Sequence, residues 1–303
     1  MTHPLAGGVA VVTGAASGFG LESCRIAARL GMRVVLADVQ PAALKAAAAE
    51  LQALGAQVLV HRTDVSSADD VEALAEATLQ CFGVPNLVFN NAGVATGGLI
   101  WEHSRKDWDW VLGVNLMGVV HGLRVFTPLM LQAASADPAW RGHMVNTASM
   151  AGLVNMPNMG AYNVSKHAVV SVSETLYQDL SLVTDQVHAH VLCPFYVATG
   201  IFDSARHRPG PLVDTGVMPT RSQIVAQAMG RKAIGGGKVS AAQVAQFVFD
   251  AIADKRFYVF SHPHALAAVQ LRCDDIVQLR NPSDPFAERP HKGAELRAAL
   301  RGA

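Results

Sequence analysis

Short β-branched runs alternate with longer Ala- and Leu-rich runs along most of this chain. Seven of the short runs stand out: GVAVVTG at 8–14, RVVLADV at 33–39, QVLVHRTDV at 57–65, NLVFNNAG at 86–93, GHMVNTAS at 142–149, VHAHVLCP at 187–194 and RFYVFSHP at 256–263. Each is bounded by turn-forming residues and reads as a strand. Between them, segments such as ESCRIAARLG and PAALKAAAAELQALG carry Ala and Leu at helical spacing and close on Gly, the signature of a helix and its stop. Strands apolar on both faces and separated by helices imply a parallel sheet covered on each side. The expected fold is therefore α/β, a doubly wound parallel sheet of about seven strands.

Two regions break the rhythm. GIFDSARHRPGPLVDTGVMPTRSQ, at 200–223, is too rich in Gly, Pro and charge for a core element and suits a lid over a ligand site, spanning about 200–235. After the last strand a tail from 264 to 303 carries a helical pattern near 264–280 and then a polar, Pro-containing end. The chain thus divides into one domain over 1–263 and a C-terminal extension over 264–303, with no internal repeat and no low-complexity tract.

Composition narrows the function classes. Of 303 residues, 50% are hydrophobic and 16% charged, which suits a large filled core. Lys plus Arg equals Asp plus Glu at 24 each, so no positive excess is available for nucleic acid or an anionic membrane. The start MTHPLAGG has no basic residue followed by an apolar run, and no later stretch approaches about 18 uninterrupted apolar residues, so the expectation is a cytoplasmic protein with no membrane contact. Cys24, Cys81, Cys193 and Cys273 are far apart and read as free buried thiols. HAH at 188–190 and HPH at 262–264 each pair two imidazoles, but neither has a third ligand at coupled spacing, so no metal is expected. Ser104, with Asp107 three residues on, reads as a helix cap. Of the neighbouring Trp101, Trp108 and Trp110, core packing accounts for most, with Trp101 the one expected to reach a pocket.

The first strand runs into TGAASGFG, setting Gly14, Gly18 and Gly20 in the turn before a helix. Such glycines let backbone approach a pyrophosphate whose charge the free N–H groups of the helix start stabilise. Asp38, ending the second strand, is placed to accept hydrogen bonds from a ribose diol; the alternative role is a loop cap. In AYNVSKHAVV, Tyr162 stands four residues before Lys166, about one helical turn, so phenol and ammonium share a face. Alone, that pair would be helix decoration.

Together these residues resemble the short-chain dehydrogenase/reductase family over about residues 8–260. The resemblance is carried by TGxxxGxG as TGAASGFG, by NNAG at 90–93, by Asn115 in VNLMG, by Ser149 in NTASMAG, and by YxxxK as Tyr162 and Lys166, with Ser149 preceding Tyr162 by 13 residues. It implies a Rossmann-like fold and a catalytic set of Asn115, Ser149, Tyr162 and Lys166. It further implies dinucleotide contacts from Gly14, Ser17, Gly18, Phe19 and Gly20, from Asp38 and Val39, from Asp64 and Val65 near the adenine, and from Asn91, Ala92 and Gly93. Tyr162, Lys166, Pro194, Val197 and Thr199 complete that set on the nicotinamide side. In the family, the residue matching Asn115 lies at an irregularity in the fourth helix and holds a water that connects the lysine to solvent; a helix-packing amide is the alternative. One departure is clear. The family usually has Gly after the proline of the sixth strand, where CPFYVATG has Phe195, which reshapes the cleft beside the nicotinamide.

The chemistry also follows from elementary requirements. Oxidising an alcohol needs a hydride acceptor and a base for the hydroxyl proton. A free tyrosine, with pKa about 10, is a poor base at neutral pH, and lowering it by about three units corresponds to roughly 4 kcal/mol from a neighbouring cation. Lys166 supplies that cation, and the Ser149 hydroxyl polarises the substrate oxygen. Met150, Val154, Met156, Met159, Phe195 and Tyr196 are expected around the substrate, with no Arg to clamp a carboxylate, favouring a bulky hydrophobic secondary alcohol or its ketone. Asp38, with no basic neighbour unless Arg62 or a lid cation reaches it, favours NAD over NADP. An NADP-linked ketone reductase and a dinucleotide-binding regulatory protein without turnover are the alternatives. The resemblance also implies a homodimer or homotetramer through helices at about 104–132 and 161–182.

Overall fold

The computed structural model describes residues 3–302. Strands β1 (Val9–Thr13), β2 (Arg33–Asp38), β3 (Val58–Arg62), β4 (Leu87–Asn90), β5 (Gly142–Thr147), β6 (Val187–Cys193) and β7 (Tyr258–Phe260) form one sheet in the order β3-β2-β1-β4-β5-β6-β7. Every pairing is parallel. The order reverses between β1 and β4, so the crossovers diverge there and leave a crevice beyond the strands' carboxyl ends.

Period-two alternation sends side chains to two cores. Ala10, Val12, Val34 and Leu36 pack with α1 (Gly18–Arg29), α2 (Pro41–Ala53) and α8 (Ala241–Ala253). Val9, Val11, Val35 and Ala37 face α3 (Ala68–Phe82), α5 (Gly118–Ala136) and α6 (Gly160–Val183). The strands are shorter than their apolar runs. In NLVFNNAG only Leu87–Asn90 pairs, because the Asn91 and Ala92 N–H groups leave the ladder to donate to Thr13 Oγ1 at 2.9 and 3.1 Å.

α4 (Arg105–Leu112) opens with the expected cap: Asp107 N donates to Ser104 Oγ while Asp107 Oδ2 accepts from Ser104 N. A π-helical turn, Gly113–Met117, joins α4 to α5 and carries Asn115. The segment after β6 contains 3-10 turns at Ile201–His207 and Gly210–Leu212, then α7 (Arg221–Gly235). Thr220 and Gln223 cap α7 reciprocally, so the second half of the expected lid is a regular helix. In the extension, α9 (Leu266–Val277) falls where a helix was expected. The polar end forms a second one, α10 (Pro290–Arg301), which lies against α7, with Arg221 Nε donating to the Ala299 carbonyl. Of the cysteines, Cys24 and Cys193 are buried, whereas Cys81 and Cys273 are exposed, contrary to the expectation that all four would be buried. Cys81 rides on the solvent side of amphipathic α3, and Cys273 on α9, which is exposed over most of its length.

Candidate active site

The glycine-rich turn fits tightly between β1 and β4. Gly14 has φ +63°, and a Cβ there would come within 2.9 Å of Ala92 Cα. At Gly20 a Cβ would strike the Gly14 carbonyl oxygen, so α1 can approach β1 this closely only without a side chain. Ser17 precedes α1 in an extended conformation and makes no side-chain cap, which leaves the first amides of the helix directed at the crevice. Asp38 is buried and accepts from Ala16 N at 3.1 Å and Gln40 N at 3.0 Å. It therefore fixes both turns as a cap while lining the cleft, and its oxygens retain lone pairs for ribose hydroxyls. Asp64 also lines the cleft, its Oδ1 taking the Ser66 N–H and hydroxyl. Arg62 faces Asp70 at 3.6 Å and is not part of the wall.

Three of the four residues expected to be catalytic, Ser149, Tyr162 and Lys166, gather where β5 and α6 meet. Ser149 caps the 3-10 turn Met150–Gly152, accepting from Ala151 N at 3.1 Å. Lys166 is buried and donates from Nζ to the Thr147 carbonyl at 2.8 Å. Burial lowers its pKa to about 8. Burial raises that of Tyr162 to about 12, opposed by the Ser149 hydroxyl beside it. Asn115 does not line the cleft. Its Nδ2 donates to the Val94 carbonyl at 2.9 Å and Ser165 Oγ at 3.0 Å, and its Oδ1 accepts from Val94 N at 2.8 Å. It ties the segment after β4 to α6 from behind. Gly20 likewise stands behind the wall; the other residues expected at the cofactor, among them Gly93, Val65, Val39, Pro194, Val197 and Thr199, line one continuous cleft with Ser149, Tyr162 and Lys166.

Beyond Tyr162 the cleft is apolar. Met150, Val154, Met156, Met159, Phe195 and Tyr196 line it as expected, and the last two rings pack with centroids 4.5 Å apart. The Phe195 amide donates to Ser261 Oγ at 2.9 Å, which anchors the segment that replaces the usual glycine. One expectation needs correction. Trp101 is 76% exposed and lies outside the wall, whereas Trp110, 3% exposed, forms part of it. Trp101 sits in a 3-10 turn before the Ser104 cap, whereas Trp110 lies on the inward face of α4. The cleft also has cationic or ionisable neighbours that sequence reasoning did not place: Arg206 and His207 line it. Phe202 and Ile234, from the lid, complete the substrate end. The composition of 200–223 marks the segment as a lid, but which of its side chains face the cleft is decided only by the return of the chain over it.

The fold and site are those of a dinucleotide-dependent oxidoreductase. The short chain dehydrogenase family model matches residues 8–210. The chain is 37% identical over 279 residues to 1-deoxy-11-beta-hydroxypentalenate dehydrogenase of Streptomyces exfoliatus, covering 90% of this chain and 91% of that one. It is 33% identical over 271 residues to a CLA biosynthesis dehydrogenase/reductase of Lactiplantibacillus plantarum, covering 89% and 93%. Among solved structures, a short chain dehydrogenase/reductase from Burkholderia phymatum in complex with NAD superposes with a TM-score of 0.90 at 50% identity, over 94% of this chain and 99% of that one. The chain belongs to the short-chain dehydrogenase/reductase family.

Proposed function

We propose that this protein is an NAD-dependent dehydrogenase interconverting a bulky, hydrophobic secondary alcohol and its ketone. The observation that carries the reading is the continuity of one cleft, from the glycine-rich turn and Asp38, past Ser149, Tyr162 and Lys166, to an apolar end. The glycine cradle and open helix amides fit a pyrophosphate, and Asp38 fits a ribose diol. When bound, the nicotinamide supplies the hydride acceptor or donor. Tyr162 exchanges the proton with the substrate oxygen, and Ser149 orients that oxygen by hydrogen bonding. Lys166, held by the Thr147 carbonyl, keeps a positive charge beside the phenol. Trp110, Met150, Met156 and Phe202 exclude water and offer no charge to a polar substrate. The Streptomyces relative, named as a dehydrogenase of a hydroxy compound, accords with this reading.

The test is absorbance at 340 nm with aliphatic, aryl and steroid-like alcohols and ketones, each with NAD(H) and NADP(H). Turnover of a bulky alcohol or its ketone with NAD(H), lost in Tyr162→Phe, is expected. Dinucleotide binding with no turnover across the panel would favour the regulatory alternative, and better kcat/KM with NADP(H) the reductase one.

The assembly we propose is a homodimer or homotetramer paired through α4–α5 and α6. The continuous helical stretch Arg105–Ala136 has an 18-residue window of mean hydropathy 1.4, of which 33% is buried within one chain. By length and composition alone it could cross a membrane. Its buried Asn115, bonded to Val94 and Ser165, and its packing on β4 and β5 instead suit a helix that covers the sheet on one side and a second copy on the other.

A further inference from the structure

The lid's first turn, Ile201–His207, serves both ends of the cleft: Phe202 belongs to its apolar end, whereas Arg206 and His207 follow where the chain has passed the glycine-rich turn. Thr199 Cγ2 lies 3.5 Å from where a Cβ on Gly18 would stand, so the chain leaving β6 touches the glycine-rich turn. Gly200 follows, and its own Cβ position lies 3.2 Å from Arg206 Nη2 and 3.7 Å from Nη1. The guanidinium is thereby folded back toward Gly200, directly after the Thr199 that meets Gly18. Arg206 and His207 both line the cleft shared with Gly14, Ser17, Gly18 and Asp38.

The bonding of Arg206 leaves its charge available. Nε donates to His207 Nε2 at 2.7 Å and Nη1 to the Asp203 carbonyl at 3.3 Å. The Asp203 carboxylate, the acidic group of this turn, is taken by Arg231 of α7. Among the described residues Arg206 has no carboxylate partner, and Nη2 has no hydrogen bond. Arg208, two residues on, contrasts with it, being paired with Asp107 at 2.6 Å and turned over the Trp110 ring. Accepting from Arg206 at Nε2, His207 carries its proton on Nδ1, and burial with the Arg206 charge lowers its pKa. An aligned, unneutralised guanidinium beside a helix start that itself attracts anions matches a diphosphate group.

We infer that Arg206 is a second, lid-borne half of the pyrophosphate site, so that the dinucleotide is held between the glycine-rich turn and the 3-10 turn Ile201–His207. The inference rests on the dinucleotide-binding reading above. It gives the lid two roles, with Arg206 and His207 toward the cofactor and Phe202 and Ile234 toward the substrate end. His207 orients the guanidinium through the Nε bond and is a positioning residue.

The test measures equilibrium binding by calorimetry for wild type, Arg206→Ala and Arg206→Lys, using NADH, NADPH, ADP-ribose and adenosine at low and high salt. Arg206 is exposed, so folding of both variants is expected to be unchanged and is checked by their melting curves. Arg206→Ala should weaken NADH, NADPH and ADP-ribose alike by about 10-fold at low salt, and by less at high salt. Adenosine should be unaffected, and Arg206→Lys should recover part of the loss. NADH and ADP-ribose binding within about 2-fold of wild type in Arg206→Ala overturns the inference while leaving the dinucleotide reading intact. A loss confined to NADPH overturns it in favour of a 2′-phosphate contact. Failure of the wild type to bind NADH or ADP-ribose overturns both.

Discussion

The Lys166 ammonium lies 5.8 Å from the centre of the Tyr162 ring while donating to the Thr147 carbonyl. The lysine is thus fixed by the end of β5 and stands beside the phenol without a hydrogen bond to it. Burial works against ionisation of both, pushing the phenol up to about 12 and the ammonium down to about 8. Tyr162 is then protonated at every working pH, ready as an acid and dependent on added positive charge to serve as a base.

Replacing Tyr162 by Phe removes the only cleft phenol beside both Ser149 and Lys166. We expect kcat to fall by about 10²-fold or more, with dinucleotide affinity nearly unchanged. Retention of a tenth of wild-type kcat would make another group the acid/base. Tyr196, the other phenol of the cleft, is the first to examine in that event.

Asp38 predicts a cofactor preference of about 10-fold or more for NAD(H), about 1.4 kcal/mol, because a 2′-phosphate would meet a buried carboxylate. Asp38→Ala should narrow that gap mainly by weakening NAD(H). It should also lower the melting temperature, since Ala16 and Gln40 each lose a hydrogen-bond acceptor. Cofactor titrations and thermal melts of the same variant separate the two effects. An unchanged NAD(H) affinity would leave Asp38 as a cap alone.

Hydrophobic substrates should dominate turnover. The walls around Tyr162 are Met150, Met156, Met159, Trp110 and Phe202, and Arg206 sits toward the glycine-rich turn rather than among them. Aryl and alicyclic alcohols are expected to exceed small hydroxy acids in kcat/KM. A hydroxy acid as the best substrate would contradict the apolar reading of this end.

Acid should destabilise the fold through His143 and His190. His143 Nδ1 and His190 Nε2 are 3.0 Å apart in the core, and His190 Nδ1 donates to the Arg256 carbonyl at 2.8 Å, so His143 must be the donor of the pair. Burial holds both below the ordinary histidine range, helped by His190 and His188 at His143 and by His188 at His190. Below about pH 6.5 the unfolded chain takes up protons that the folded one refuses, so stability is retained above that pH and lost as pH falls. The slope is at most about 1.4 kcal/mol per pH unit for each such proton. Denaturant unfolding between pH 8 and 5 measures it, and His143→Gln, which keeps a donor to His190, should flatten it. Equal slopes in wild type and variant would locate the acid sensitivity elsewhere.

A single mass corresponding to one chain, by light scattering at micromolar concentration, would refute the proposed assembly. A dimer or tetramer is expected, and a charge at the half-covered apolar patch of α5 and α6, as in Val172→Glu, should shift it toward monomer.

Local rules were enough for the sheet and half of the site. Alternating burial, glycine stops and the Ser104 cap depend on neighbours within a turn or two, so seven strands and most helices could be read directly. The spacing of Ser149, Tyr162 and Lys166 spans one strand end and one helix start, and that connection is short enough for sequence distance to fix geometry. What sequence could not supply comes from chain returning over long loops. Trp110 rather than Trp101 reaches the cleft because the cap at Ser104 sets the rotation of α4. Arg62 turns to Asp70, whereas Arg206 folds back toward Gly200, directly after the Thr199 that meets the glycine-rich turn, nearly 200 residues from it along the chain. The polar end becomes a helix because α7 offers it a surface. Hydrophobic period decides which elements form, but which charges stay unpaired beside a ligand is decided only when every competing partner has been placed in space.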